Sequence, residues 1–161
     1  MADWLGITSA NLSSFCGGAN LDDALDGTGF WDHQIETYDT HWFILDLGET
    51  STITKVRGRS NCSYSPILVN IYVSDDSEVW GDAVVSNIST WHDVDEWQEA
   101  ETTSKNGRYI KVEITDTQAS FHNSIYWGKT TPPFTIFDVY GTAGGGSTAG
   151  AMSLNTRFWG T

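Results

Sequence analysis

The sequence predicts an all-β domain, an antiparallel sandwich or barrel, and three observations carry that expectation. Apolar residues fall in short runs, alternating or continuous, and nowhere in a long pattern of period 3.6. Charged residues are only 18% of the chain while aromatics are 13%, so the surface is polar through Ser, Thr, Asn and Gly rather than through the long charged side chains that favour helices. Turn residues separate the runs, with no crossover helix between them to support a parallel sheet. At 161 residues the chain has the size of one domain and can bury roughly 70% of its extended surface without a staple.

The elements follow in order. Residues 1–29 are rich in Gly, Asn and Ser, with a short strand or helical turn near Trp4–Ile7 and a carboxylate-bearing turn ending in Asp26-Gly27. HWFILDL, His41–Leu47, is nearly continuous apolar sequence, as in a strand buried on both faces. Gly48-Glu49 breaks it. TITKVRGR, Thr52–Arg59, places Ile53 and Val56 inward, with Thr and Lys exposed. ILVNIYVS, Ile67–Ser74, is β-branched, and Asp75-Asp76-Ser77 turns the chain. Ala83–Ile88 and Glu96–Glu101 carry weaker strand signals. RYIKVEI, Arg108–Ile114, alternates, with Ile110, Val112 and Ile114 on its apolar face. FTIFDVY, Phe134–Tyr140, is apolar on both faces.

Gly141–Gly150, GTAGGGSTAG, reads as a flexible linker before an aromatic tail, AMSLNTRFWGT. The expected organisation is an N-terminal extension over 1–20, a sandwich over 21–141, a linker over 142–150 and a tail over 151–161. The tail either docks on a neighbouring subunit or folds back on its own domain.

The net charge of −13 argues against nucleic acid, which needs clustered Lys and Arg, and against an anionic membrane surface. The same carboxylates suit a hard cation such as calcium, although a solvated acidic surface accounts for most of them. Cys16 and Cys62 can form one bridge or remain two thiols. No basic and apolar leader is visible at the start, and no run is apolar enough for a membrane span. The expectation is a product that acts outside the cell or on a virion surface without a visible signal peptide. No HExxH, GxSxG, Cys/His metal spacing or phosphate-cradling glycine motif is present, so no catalysis is expected.

Several motifs occur in an order that resembles the discoidin-like domains, the group that includes the coagulation-factor type C domains and galactose-binding carbohydrate-binding modules. Ala24-Leu25-Asp26-Gly27 is similar to the family's A-x-D-G turn, and Trp31 to the aromatic that follows. WFILDLG, Trp42–Gly48, is similar to its W-x-x-x-D-L-G strand. Ile71–Asp76 with Trp80 is similar to its V-S-x-D…W hairpin, Gly107–Val112 to its R-Y-I-K-V strand, and Ile136–Gly141 to its closing strand, with Asp138 where Glu is usual. The resemblance spans about Leu21 to Gly141. It implies a jelly-roll β-sandwich of about eight strands, with loops at one end that recognise glycans, phospholipid headgroups or proteins, and often a structural calcium.

Carried over by position, the calcium ligands would be Asp26, Thr28 and Asp138, with backbone carbonyls from around Asp23 and Phe30. The other reading is a turn Asp capping its own backbone, with Asp138 bonded to loop amides. In this fold the loop with Trp31, Asp32 and His33 would lie beside Arg59–Tyr64 and Phe121–Trp127. Sugar binding needs a flat aromatic face for the C–H side of a pyranose and planar polar groups for its hydroxyl pairs. The candidates are Trp31, His33, Arg59, Asn61, Tyr64, His122, Asn123 and Trp127. Burial is the competing role for Trp31 and Trp127, and Trp42 and Trp80 are assigned to core or rim packing.

The expected function is a non-catalytic, surface-exposed binding or adhesion module whose partner is a glycan or other cell-surface ligand. Such a module could be displayed on a virion as a capsid decoration or tail protein. The rival readings are a carbohydrate-binding module cut from a larger secreted enzyme, and a purely structural particle subunit.

Overall fold

The computed structural model describes residues 1–12, 25, 30–34, 40–61, 65–117, 124–128 and 136–144, and for 9–12, 30–34 and 124–128 it describes the backbone alone. Cys16 and Cys62, and the linker and tail from 145 onward, lie outside the described residues.

Among the described residues nine strands run in chain order: β1 (Asp3–Trp4), β2 (Ser9–Leu12), β3 (Phe30–Gln34), β4 (His41–Ser60), β5 (Pro66–Ser74), β6 (Val85–Ile88), β7 (Val94–Thr117), β8 (Ser124–Gly128) and β9 (Phe137–Ala143). All the pairings among the described residues are antiparallel. Seven strands form one hydrogen-bonded set in the order β1-β9-β4-β7-β5-β6, with β2 on β4, and β3 pairs with β8 separately. The described part, residues 1–12, of the 1–20 segment set apart in the sequence as an extension thus adds two strands to the large set.

That set folds over into two layers. Phe43 and Phe137 meet edge-on, with ring centroids 6.1 Å apart. Phe137 pairs with Gly58 across β4 and β9. A straight strand from Phe43 to Gly58 would span about 50 Å, so β4 must turn back for the two rings to touch. The turn falls where the pairing register slips between Asp46 and Ser51, around Gly48 with φ of +83°, a value that glycine adopts readily. The first half of β4 lies in one layer with β2, the end of β7, β5 and β6; its second half lies in the other with β9, β1 and the start of β7. The Gly48 break expected from the sequence is therefore a corner within a single 20-residue strand. Likewise the two runs Glu96–Glu101 and Arg108–Ile114 are parts of one 24-residue strand.

Alternation sets the core. Phe43, Leu45, Ile110, Val112, Ile114, Val69, Ile71 and Val73 point inward from one layer, and Ile53, Val56, Phe137 and Val139 from the other, all essentially inaccessible to water. Trp91 seals the core next to Phe137, at 5.8 Å between centroids. Trp42 and Trp80 are half-buried, whereas the fully buried Trp91 was not singled out by its local sequence.

Asp46 fixes the corner of β4. Its carboxylate accepts the Gly48 amide at 2.7 Å and two bonds from Arg108, from Nε at 2.7 Å and Nη2 at 2.8 Å. Its carbonyl accepts the Thr8 amide and hydroxyl, each at 2.8 Å. The aspartate of the D-L-G motif therefore ties the amino-terminal segment, the corner and β7 together. The Arg108 bonds, foremost, hold its carboxyl below the usual aspartate range; partial burial acts against them, and the Gly48 amide adds to the lowering.

Candidate functional site

Short aromatic and β-branched segments, FWDHQ and SIYWG, pair as the β3–β8 ladder. Its register sets Trp31 opposite Trp127, His33 opposite Ile125, and Phe30 opposite Gly128. By strand alternation, positions 31, 33, 125 and 127 share one face of the ladder. The same ladder unites two of the three segments that the sequence placed at one end of the sandwich. β8 also lies close to β4 and β5, the strands that flank the third segment.

Arg59 and Asn61 stand at the far end of β4. The Arg59 amide donates to the Ile136 carbonyl at 3.1 Å, and its Nη1 donates to the Asp95 carbonyl at 3.3 Å. The exposed Asn61 donates from Nδ2 to the Asp95 carboxylate at 3.0 Å. Asp95, just inside β7, thus holds both candidates at the strand end. Of the remaining candidates, Tyr64, His122, Asn123, Asp23, Asp26 and Thr28 lie outside the described residues, and Trp31, His33, Trp127 and Phe30 are placed by backbone alone.

Asp138 lies on β9 opposite Arg57, on the outer side of the sheet between the inward-facing Phe137 and Val139. Its Oδ2 accepts from Arg57 Nη2 at 2.7 Å and from Nε at 3.2 Å. Burial pushes its carboxyl above the usual aspartate range, and the Arg57 pairing only partly offsets this. As a calcium ligand, Asp138 would place a divalent cation against a guanidinium at hydrogen-bond distance, an arrangement that does not suit the metal as it stands. Among the described residues no group of three or more His, Cys, Asp or Glu side chains is placed to hold a metal ion.

The outer face around Asp138 carries a second arrangement. The Arg57 guanidinium lies over Trp4, 3.7 Å from its centroid, and over Trp97 at 4.3 Å. Arg59 lies over the same Trp97 ring at 4.0 Å. Trp4 meets Tyr140 edge-on at 5.1 Å, and Lys55 sits 5.7 Å over Tyr140. Burial foremost, and then repulsion from Arg57, lower the Arg59 pKa from its ordinary value. Sequence reasoning missed Trp4, Arg57 and Trp97. The cationic half was readable, because Lys55, Arg57 and Arg59 stand two apart and so share one face. The aromatic half was not, because its rings arrive from β1, β7 and β9.

Comparison with known proteins bears on this arrangement. The family model described as the F5/8 type C domain matches residues 8–127. No curated protein matches the chain. Among solved structures, a truncated AlyQ with CBM32 and alginate lyase domains superposes with a TM-score of 0.68 at 16% identity, over 89% of this chain and 34% of that one. The chain thus spans about a third of that protein. The CBM32 of AlyQ in complex with 4,5-unsaturated mannuronic acid gives 0.66 at 16% identity, covering 85% of this chain and 97% of that module. The family 32 carbohydrate-binding module of NanJ from C. perfringens, in complex with galactose, gives 0.65 at 13% identity, over 87% and 99%. At these identities the likeness establishes a shared fold, the β-sandwich of those modules.

Proposed function

The chain belongs to the F5/8 type C domain family, and from that premise we propose that it is a non-catalytic glycan-binding module working at an exposed surface. The observation that carries this reading is the β3–β8 ladder, which sets Trp31 opposite Trp127 with position 33 on the same face. An indole face stacks on the C–H side of a pyranose, while Arg59, Asn61 and His33, with Tyr64, His122 and Asn123, offer the planar and hydroxyl groups that pair with sugar hydroxyls. The galactose and unsaturated mannuronic acid held by two modules of the same fold support a pyranose as the ligand class.

Calcium belongs to this proposal as a structural ion held by Asp26, Thr28 and the carbonyls near Asp23 and Phe30; Asp138 would join only by releasing Arg57. The finer form of the reading is display on a cell or particle, virions included, with the segment 151–161 docking on a neighbouring subunit. The two-domain AlyQ structure, of which the chain matches one part, favours a second reading, a binding module attached to an enzyme.

A glycan array with and without chelator tests the reading. Defined sugar hits are expected, and their loss on Trp31→Ala or Trp127→Ala; an array without hits overturns it. Loss of hits with chelator supports the calcium site. Light scattering separates the carriers, since an assembly is expected of a particle subunit and a monomer of an enzyme's module.

A further inference from the structure

We propose that Trp97 and Arg57 are positioning residues for Arg59, holding its guanidinium ordered at the end of β4 so that it meets a sugar ready-made. The inference rests on the glycan-binding reading and extends the site from loops onto the outer sheet face.

Four side chains from three strands build the array. Trp97 of β7 receives Arg59 at 4.0 Å and Arg57 at 4.3 Å, and Arg57 also lies 3.7 Å from the Trp4 centroid of β1. Two guanidinium groups gathered around one indole repel each other, and a carboxylate compensates. Asp138 of β9 takes two hydrogen bonds from Arg57, leaving its orientation little freedom. Arg57 and Asp138 are both about four-fifths shielded from water, so their attraction is screened less than that of a surface pair. The chain from Asp138 through Arg57 and Trp97 therefore ends on Arg59, whose Nη1 is bonded to the Asp95 carbonyl at 3.3 Å. Asp95 in turn holds Asn61 at 3.0 Å, so the array also adjoins the second rim candidate.

The physical effect is preorganisation. An arginine has several rotatable bonds, and one that is free loses that freedom when a ligand orders it. An arginine stacked on an indole has lost it already on folding, and a planar guanidinium suits a pair of adjacent hydroxyls. Trp97 lies half-buried on the outer face, and its role in this proposal is exerted through Arg59.

The test uses the full chain, labelled with ¹⁵N, and reads the Nε–H signals of its four arginines, melting temperature, and affinity for the strongest glycan of the array. In Trp97→Ala the Arg59 Nε–H is expected to become mobile and affinity to fall about tenfold. Trp97→Phe, which keeps an aromatic face, is expected to restore most of both and also guards against a misfolded alanine variant. Asp138→Asn is expected to loosen Arg57 first and Arg59 less. An Arg59 signal as rigid in Trp97→Ala as in the parent, or an unchanged affinity, overturns the inference while leaving glycan binding intact. A parent chain that binds no glycan overturns the functional reading, and this inference with it.

Discussion

Gly58 lies directly against the indole of Trp91. A methyl group built on Gly58 would come within 2.5 Å of two ring carbons. Trp91 is inaccessible to solvent and braced edge-on by Phe137, which itself pairs with Gly58 across β4 and β9. The ring therefore has nowhere to retreat, and the bare backbone at position 58 is the space it occupies. Gly141 plays a similar part, since a Cβ there would meet the Thr52 carbonyl oxygen at 2.1 Å.

Gly58→Ala should accordingly destabilise the fold by about 1–3 kcal/mol, the usual penalty for overfilling a packed core. Urea unfolding followed by tryptophan fluorescence measures it. A change under about 0.5 kcal/mol, ordinary for surface substitutions, would show that the indole can move aside.

The Asp46–Arg108 pair predicts a pH dependence. The folded carboxyl titrates below its unfolded value of 3.8, so the stabilisation is fully present above that value and drains as pH falls through the lower folded pKa. Asp46→Asn should remove this acid-sensitive part and loosen the corner at Gly48, lowering stability at neutral pH and flattening its fall below pH 4 or so. Denaturation midpoints measured from neutral pH down to about pH 2 test this; parallel curves for parent and variant would contradict it.

Glu113 is the acceptor at the centre of another outer-face cluster. Lys111 Nζ donates to it at 2.8 Å, Tyr72 Oη at 3.0 Å and Asn70 Nδ2 at 3.4 Å. Burial pushes its carboxyl up, and these donors together bring it below the ordinary range. Glu113→Gln should cost about 1 kcal/mol, the value of a charge-assisted bond discounted for its partial exposure. The loss should shrink at high salt, and a salt-independent loss would assign the effect to packing instead.

Arg59→Ala should lower glycan affinity at least about tenfold, with little change in melting temperature, since its contacts lie at a strand end. Calorimetry against the best array sugar measures the first and differential scanning the second. Equal affinity would remove Arg59 from the binding surface.

The layers of this fold were readable because burial imposes a local pattern. Ile110, Val112 and Ile114 announce their face by alternation, and the nearly continuous apolar run His41–Leu47 announces a central strand, although it is sealed on one face only, with Trp42, Ile44 and Asp46 half-buried on the other. Strand lengths were not readable in the same way. Gly48 and the polar stretch Thr102–Asn106 look like ends in sequence, yet β4 and β7 pass through both as they change layer. The aromatic–guanidinium array was half legible for the same reason. Spacing along β4 shows its cations, but Trp4 and Trp97 lie 53 and 40 residues away from Arg57 in sequence, and only the pairing of four strands brings them together. Trp91 shows the limit from the other side, since nothing in its surroundings, SNISTWHD, separates a sealed indole from an exposed one.

Because β4 and β7 each belong to both layers, the sandwich has no seam. Parting its halves would mean tearing two continuous backbones out of register, not sliding one sheet off another. Neither half can melt while its partner persists, so hydrogen exchange from Leu45, Val56, Val112 and Val139 should report a single cooperative opening, and a pull on either chain end should meet one rupture rather than two.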